Sequence, residues 1–75
     1  HQADGAAYEF FADEVLKLND LNPQVAARMV SGFNRWRCFD AGRQAHMRAQ
    51  LERIAGHASL SKDVFEIVSR ALAPV

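Results

Sequence analysis

A glutamine and an arginine four residues apart are the side chains of this sequence best placed to bind a ligand. Gln24 and Arg28 follow Asn22-Pro23, and this pair predicts a helix start, because asparagine is a favoured N-cap and proline is tolerated at the first helical position. Residues four apart share one helix face, so both side chains point the same way. An amide and a guanidinium together can bind carbonyl or carboxylate oxygens of a ligand.

The same spacing is also typical of a solvated helix face, and from spacing alone that interpretation is favoured. Ser31 and Arg35 continue the polar stripe, and we assign them no role. The opposite stripe of the same helix carries Val25, Met29, Phe33 and Trp36, which predicts that this side packs on a core.

No complete catalytic or metal-binding set of residues occurs in the sequence. His46 and His57 are eleven residues apart and have no acidic or cysteine partner at ligand spacing. Cys38 is the only cysteine, so no internal disulfide can form, and we expect it to be a small core residue in a reducing, cytoplasmic compartment. We therefore expect no catalytic residue, no metal ligand and no cofactor within this chain.

Composition limits the classes of function. The chain has 75 residues, 49% of them hydrophobic, and a formal net charge of zero, which argues against a dedicated nucleic-acid or membrane-surface protein. The basic run Arg35-Trp36-Arg37 and the outline of a helix-turn-helix leave DNA binding open as a weak alternative. We expect no nucleic-acid or membrane partner, and we interpret residues 1–75 as one helical piece of a longer protein.

Apolar periodicity predicts four helices and no strand, over residues 6–19, 23–35, 41–55 and 62–73. Asp4, Asn22, Asp40 and either Ser59 or Ser61 are the predicted N-caps, and Gly56 is the predicted stop of the third helix. We expect Gly32 to let another helix pass closely, and Trp36 and the five phenylalanines to lie in the core. Short loops predict that consecutive helices are antiparallel neighbours, so the expected fold is all-α: four antiparallel helices, the terminal pairs of an α-solenoid of the HEAT or armadillo kind.

The segment Asn22–Arg28, N-P-Q-V-A-A-R, resembles the C-terminal end of bacterial aminopeptidase N, a family of zinc metallopeptidases. The likeness covers essentially the whole chain, in order and with similar spacing. The further residues that carry it are Asp4-Gly5, Tyr8, Ala12–Leu16, Phe39-Asp40, Arg43-Gln44, Met47-Arg48, Leu51-Glu52, Leu60–Val64 and Ala71–Ala73.

This resemblance implies a non-catalytic role for the chain within a larger enzyme. The family's H-E-x-x-H and G-x-M-E-N motifs are absent, so the zinc and the catalytic groups that release N-terminal residues from peptides would lie elsewhere in the parent. The resemblance further implies that this piece caps the helical solenoid and helps close a peptide-binding cavity. Gln24 and Arg28 would line that cavity, and the partners would be the preceding domains and peptide substrates.

The alternative is a freestanding helical module that binds other proteins. An exposed apolar strip, for which Tyr8, Phe10 and Leu16 are the candidates, would favour the piece of an enzyme, because preceding helices would cover it. A polar outer face would instead favour the self-sufficient module.

Overall fold

Four α-helices joined by short connections make up the computed structural model, which describes residues 5–74. They are α1 (Ala6–Leu21), α2 (Pro23–Val30), α3 (Ala41–Ala55) and α4 (Lys62–Leu72). Two single 3₁₀ turns, Ser31–Phe33 and Trp36–Cys38, lie between α2 and α3. The prediction of an all-α fold is confirmed, and no strand occurs within residues 5–74. No helix of this stretch combines the length and the apolar character that crossing a bilayer requires.

Three of the helices begin at side-chain caps. In each case a side-chain oxygen accepts a hydrogen bond from the backbone N–H three residues further on: Asn22 at 3.3 Å, Asp40 at 2.9 Å and Ser61 at 3.2 Å. The predicted caps Asn22 and Asp40 are confirmed, and Ser61 rather than Ser59 caps α4. The start of α2, which aims Gln24 and Arg28, is thus encoded locally, by the cap and by Pro23 in the first turn.

Gly5 stands at the N-cap of α1 in a left-handed conformation, with φ of 84°. It is buried, and a Cβ at this position would collide with the imidazole ring of His46 on α3. Only glycine satisfies both the backbone angle and the space. The predicted cap Asp4 lies outside the described residues.

The end of α2 differs from the prediction. The helix stops at Val30 instead of Arg35, and the chain continues as a 3₁₀ turn in which the Ser31 hydroxyl donates to the Arg28 carbonyl at 2.7 Å. Glycine weakens a helix interior, and Gly32 follows at this point. The expectation that Gly32 admits a close neighbour is wrong, since a Cβ there would meet no atom within 4 Å.

The helices form two pairs, α1 with α2 and α3 with α4, stacked so that α1 packs on α3 and α2 on α4. The consecutive helices α2 and α3 are not neighbours, contrary to expectation. The reason is the connection over residues 31–40, which carries the chain from the end of one pair to the start of the next.

Contacts between the pairs establish that α1 and α3 run in the same direction. The ring of Tyr8, early in α1, stacks on His46 in the first half of α3, with centroids 6.5 Å apart. Further along both helices, Asp13 forms an ion pair with Arg53. Within the first pair the direction reverses, because Tyr8 also contacts Phe33, just after the end of α2, edge-on at 6.0 Å.

The helices α2 and α4 are likewise parallel. Asn19, which lies beside the start of α2, bonds Ser61 at the start of α4, and Trp36, which follows α2, bonds the carbonyl of Ala71 near the end of α4. Each pair is therefore antiparallel internally, and the two pairs repeat in the same orientation. Successive repeats of an α-solenoid stack in this way, so the predicted architecture is confirmed.

The core lies between the pairs and draws on all four helices. Its fully buried larger side chains are Leu51, Ile54, Val15, Val30, Val64 and Val68. The predicted inward residues Met47, Leu51 and Ile54 of α3 are confirmed. On α2 the stripe is shifted: Val25 and Met29 are only half-buried, and Ala26, Ala27 and Val30 face the core, because α2 packs on two neighbours at once.

Several residues predicted for the core lie at the surface. Phe33 and Trp36 are buried and Phe11 is partly buried, but Phe10, Phe39 and Phe65 are exposed. Cys38 is exposed as well, so its assignment to the core is wrong. Cys38 and Phe39 fall in the connection between the pairs, at the end of the second 3₁₀ turn and just after it.

Among residues 5–74, Asn19 is the one buried polar side chain, 4% exposed. Its amide nitrogen donates to the Ser59 carbonyl at 3.0 Å, and its oxygen accepts from the Ser61 N–H at 2.7 Å. Because both groups of the amide are engaged, burial carries no penalty for unmet hydrogen bonds, and the α3–α4 loop is fastened to the end of α1.

We expect Asn19→Ala to lower the free energy of unfolding by about 2–3 kcal/mol, because it leaves one donor and one acceptor of the loop unmet. Asn34→Ala is the matched control. Its amide is exposed and bonds no residue of 5–74, so the expected change is within about 0.5 kcal/mol. Urea unfolding followed by circular dichroism measures both, and equal effects would contradict the role of Asn19.

Candidate functional site

Gln24 and Arg28 lie on the exposed face of α2, one turn apart and close to the helix start. Neither side chain makes a hydrogen bond or ion pair with any residue between 5 and 74. We call this pair the α2 edge. Both side chains are exposed and neither one helps to hold the fold together. Their hydrogen-bond donors are therefore available to a ligand.

Most cations of the described chain are engaged, which makes the state of Arg28 informative. Carboxylates pair with Lys17, Arg43, Arg48, Arg53 and Arg70. Arg37 bonds backbone carbonyls instead, and the side chains of Arg28, Arg35 and Lys62 have neither kind of partner within the described range. Of these three, only Arg28 lies on a regular helix face next to a second polar side chain that is also unbonded.

The α2 edge leads into an open groove between the 3₁₀ turn after α2 and the end of α4. The groove is lined by Ser31, Asn34, Ile67, Arg70 and Ala71. Ser31 belongs to the predicted polar stripe, and its hydroxyl bonds the carbonyl of Arg28. A second open groove, lined by Trp36, Arg37, Ala41, Gln44, Ala45 and Arg48, lies near the start of α3. Neither groove includes Gln24 or Arg28 themselves.

Sequence reasoning missed the structural role of Arg37. Its guanidinium donates to the carbonyls of Ala71 at 3.0 Å and Ala73 at 2.8 Å, at the C-terminus of α4. A cation is favourable there, because the last carbonyls of a helix lack partners and carry partial negative charge. The guanidinium carbon also lies 4.5 Å from the ring centroid of Trp36, whose indole N–H donates to Ala71 at 2.9 Å.

We call this arrangement of Trp36 and Arg37 the C-terminal clamp. An aromatic residue followed by arginine is visible in the sequence, but the carbonyls that they bind lie 34 to 36 residues away. Nothing local indicates that pairing. The clamp also accounts for the basic run, because Trp36 is 4% exposed and cannot stack on a base, while Arg37 is already bonded.

The structure contains no helix-turn-helix motif formed by α2 and α3. Such a motif needs two adjacent helices joined by a short turn, whereas α2 and α3 are separated by residues 31–40 and are not neighbours.

The described residues offer no metal site. No group of three or more histidine, cysteine, aspartate or glutamate side chains within residues 5–74 is arranged to hold an ion. His46 instead packs against Tyr8 and Gly5. No step of metal chemistry can therefore be derived from this part of the chain.

Two antiparallel helix pairs stacked in the same orientation define a helical-repeat protein, and its candidate site is a polar edge on the second helix. Comparison with known proteins agrees with this class. The chain belongs to the family described as "Domain of unknown function (DUF3458_C) ARM repeats", which matches residues 1–73.

Three curated relatives carry the name Aminopeptidase N. The protein from Caulobacter vibrioides is 49% identical over 72 residues, that from Haemophilus influenzae 44% over 72, and that from Escherichia coli 42% over 73. These alignments cover 96%, 96% and 97% of this chain but only 8% of each relative. The resemblance to the C-terminal end of aminopeptidase N is thereby confirmed, and the chain spans about 8% of the length of the relatives that it matches.

We expect Arg37→Ala to lower the free energy of unfolding by about 1 kcal/mol, because it frees the carbonyls at the end of α4 and removes the contact with Trp36. Arg35→Ala, two residues earlier and without a partner in the described range, is expected to change it by less than about 0.5 kcal/mol. Urea unfolding by circular dichroism separates the two. Equal free energies of unfolding in the two variants would show that the C-terminal clamp does not stabilise the fold.

Proposed function

We propose that this chain is the closing segment of the helical-repeat domain of a longer, zinc-dependent aminopeptidase that releases N-terminal residues from peptides. The segment itself performs no chemistry. It seals one end of the stack of helix pairs, and its α2 edge, Gln24 and Arg28, forms part of the wall that holds the peptide.

The observation that carries this proposal is the difference between the two ends of the stack. We call the side of the first pair turned away from the second pair the first outer face: Phe10, Glu14, Lys17, Leu18, Leu21, Val25 and Met29. Glu14 and Lys17 form an ion pair at 3.6 Å between Phe10 and Leu21, and Leu18 and Met29 are partly buried against the core. Phe10 and Leu21 are 65% and 75% exposed, and they lie three turns apart on the side of α1 opposite Ala12 and Leu16. Val25 and Met29 are half-buried on the neighbouring side of α2. Phe10 and Leu21 are the most exposed large apolar side chains of residues 5–74, and such exposure favours a missing partner on this face.

The opposite end is finished differently. We call the side of the second pair turned away from the first the second outer face: Ala45, Arg48, Ala49, Glu52, Lys62, Phe65 and Glu66. Most of its side chains are small or charged, with Arg48 paired to Glu52 at 3.1 Å, and it exposes one large apolar residue, Phe65 at 52%. Terminal repeats need a polar outer face of this kind, because nothing further packs on them. The stack thus continues beyond the first pair and ends at the second.

The freestanding module fits less well. A self-sufficient stack would be polar at both ends, whereas the first outer face carries exposed Phe10 and Leu21. Of the apolar strip predicted from the sequence, Phe10 is exposed, but Tyr8 and Leu16 are partly buried against the core. The exposed apolar residues of α1 are therefore Phe10 and Leu21, with the Glu14–Lys17 ion pair between them, rather than the three predicted residues.

Within the parent, we assign catalysis to other domains and peptide binding to this chain, because this chain carries binding groups and no catalytic set. The parent's zinc would polarise the scissile carbonyl and activate water, and its ligands lie outside the described residues. This chain supplies binding groups. Arg28 is a permanent cation with a planar donor fork, and Gln24 can both donate and accept, so the α2 edge can hold peptide carbonyls with broad tolerance of side chains. Cytoplasmic location remains a prediction from the single cysteine.

In the parent protein, we expect Phe10→Asp to loosen this segment, because a carboxylate on the first outer face cannot be buried against the preceding helices. Protease cleavage ahead of α1 should accelerate several-fold. Phe65→Asp is the matched control, since Phe65 is similarly exposed, at 52%, but lies on the second outer face. Equal protease sensitivity of the two variants would contradict the assigned direction of the stack.

We expect Arg28→Ala in the parent to raise the KM for short peptides about threefold to tenfold, through the loss of a charged hydrogen-bond donor. Zinc content and thermal stability should stay unchanged, because the Arg28 side chain bonds no residue of 5–74 and the backbone carbonyl that Ser31 binds is kept. Lys62→Ala, another unpaired cation, is the control and should leave KM unaltered. Unchanged peptide kinetics in a folded, zinc-loaded Arg28→Ala enzyme would remove Arg28 from the site.

A further inference from the structure

The groove beside Ser31 continues the α2 edge along the surface shared by α2 and α4. Its lining combines two kinds of surface. Ile67 is half-buried and offers an apolar wall, while Ser31, Asn34 and Arg70 contribute a hydroxyl, an amide and a guanidinium. A mixed lining of this kind suits a peptide, which presents apolar side chains and polar backbone groups together.

Several hydrogen-bond donors that line the groove have no partner among residues 5–74. The amide of Asn34 bonds no residue of 5–74. Arg70 is bound through one nitrogen only, in a 3.4 Å contact with Glu66, and the rest of its fork remains available. The Ser31 hydroxyl donates its hydrogen bond to the Arg28 carbonyl, and its oxygen can still accept one from a ligand.

Charge in and beside the groove is unbalanced. Arg70 stands in the wall, and Arg28 lies one turn before Ser31 on the same side of α2. Against these two guanidinium groups, Glu66 is the one carboxylate paired with either of them among the described residues. The Arg70–Glu66 contact is exposed and long, so an arriving anion can share the guanidinium at little cost.

We propose that this groove binds a carboxylate of the peptide, with Arg70 and Asn34 as donors, Arg28 as the neighbouring cation and Ile67 against the peptide's apolar part. The inference rests on the proposed function, since it extends the peptide wall from the α2 edge to α4. The carboxylate can be the peptide's C-terminus or an acidic side chain. Arginine favours carboxylates because its fork matches their two oxygens.

The test in the parent compares three probes: tetra-alanine, tetra-alanine amide, and an amidated tetrapeptide with glutamate at its third position. Arg70→Ala should raise the KM for the probes that carry the recognised carboxylate about threefold to tenfold, and leave that for tetra-alanine amide unchanged. Which of the two acidic probes responds identifies the source. Arg48→Ala is the matched control, because Arg48 also pairs with a glutamate four residues away but lies on the second outer face.

Asn34→Asp provides a second variant, nearly identical in shape, that places a negative charge in the groove. It should raise the KM for the same acidic probe and not for the amide. If Arg70→Ala and Asn34→Asp change KM equally for all three probes, or no more than Arg48→Ala does, the proposal is overturned.

A direct binding measurement separates this proposal from the proposed function. All groove residues belong to this chain, so N-acetyl-tetra-alanine, as free acid and as amide, can be titrated into the isotopically labelled chain by NMR. Shifts at Ser31 and Asn34 with the acid alone, lost in Arg70→Ala, support the groove even if the parent's kinetics do not respond. Absence of such shifts, together with unaltered KM in the parent's Arg70→Ala variant, overturns the groove while leaving the Arg28 and Phe10 experiments to decide the proposed function.

Discussion

The amide of Asn19 is the interaction on which the arrangement of the two helix pairs depends. It sits at the end of α1, buried to 96%, and binds both sides of the loop that starts α4. An unmet amide at this depth would be costly, so the loop cannot slide along α1 without breaking two hydrogen bonds at once. Three residues later Asn22 caps α2. The starts of both α2 and α4, and therefore the surface between them, are placed by one short segment of chain.

The far end of the same surface is held by the C-terminal clamp. Trp36 and Arg37, which follow α2, bond the last carbonyls of α4. The helices α2 and α4 are thus fastened near both ends, by an amide at one and by an indole and a guanidinium at the other. The α2 edge and the groove beside Ser31 lie between these two attachments, so their side chains extend from a rigid support although they are themselves exposed.

The rest of the surface follows from the repeat architecture. A helix pair cannot bury its apolar residues alone, and each pair in a stack covers its neighbour. The first outer face exposes Phe10 and Leu21 beside the Glu14–Lys17 ion pair, whereas the second exposes one large apolar residue, Phe65, among alanines and the Arg48–Glu52 ion pair. The proposed closing role rests on this difference in large exposed apolar side chains between the two faces.

The sequence by itself determined the features that depend on a few neighbouring residues. The all-α class, the caps Asn22 and Asp40, the inward stripe of α3 and the pairing of Gln24 with Arg28 on one face all follow from local spacing. The tertiary structure alone decided the parallel stacking of the pairs, the early end of α2, the exposure of Phe10, Phe39 and Cys38, and the engagement of Arg37 with α4. The physical reason is range: a cap or a helical period is satisfied within one turn, whereas burial and the partners of a long side chain depend on segments 30 to 40 residues away, which no local pattern specifies.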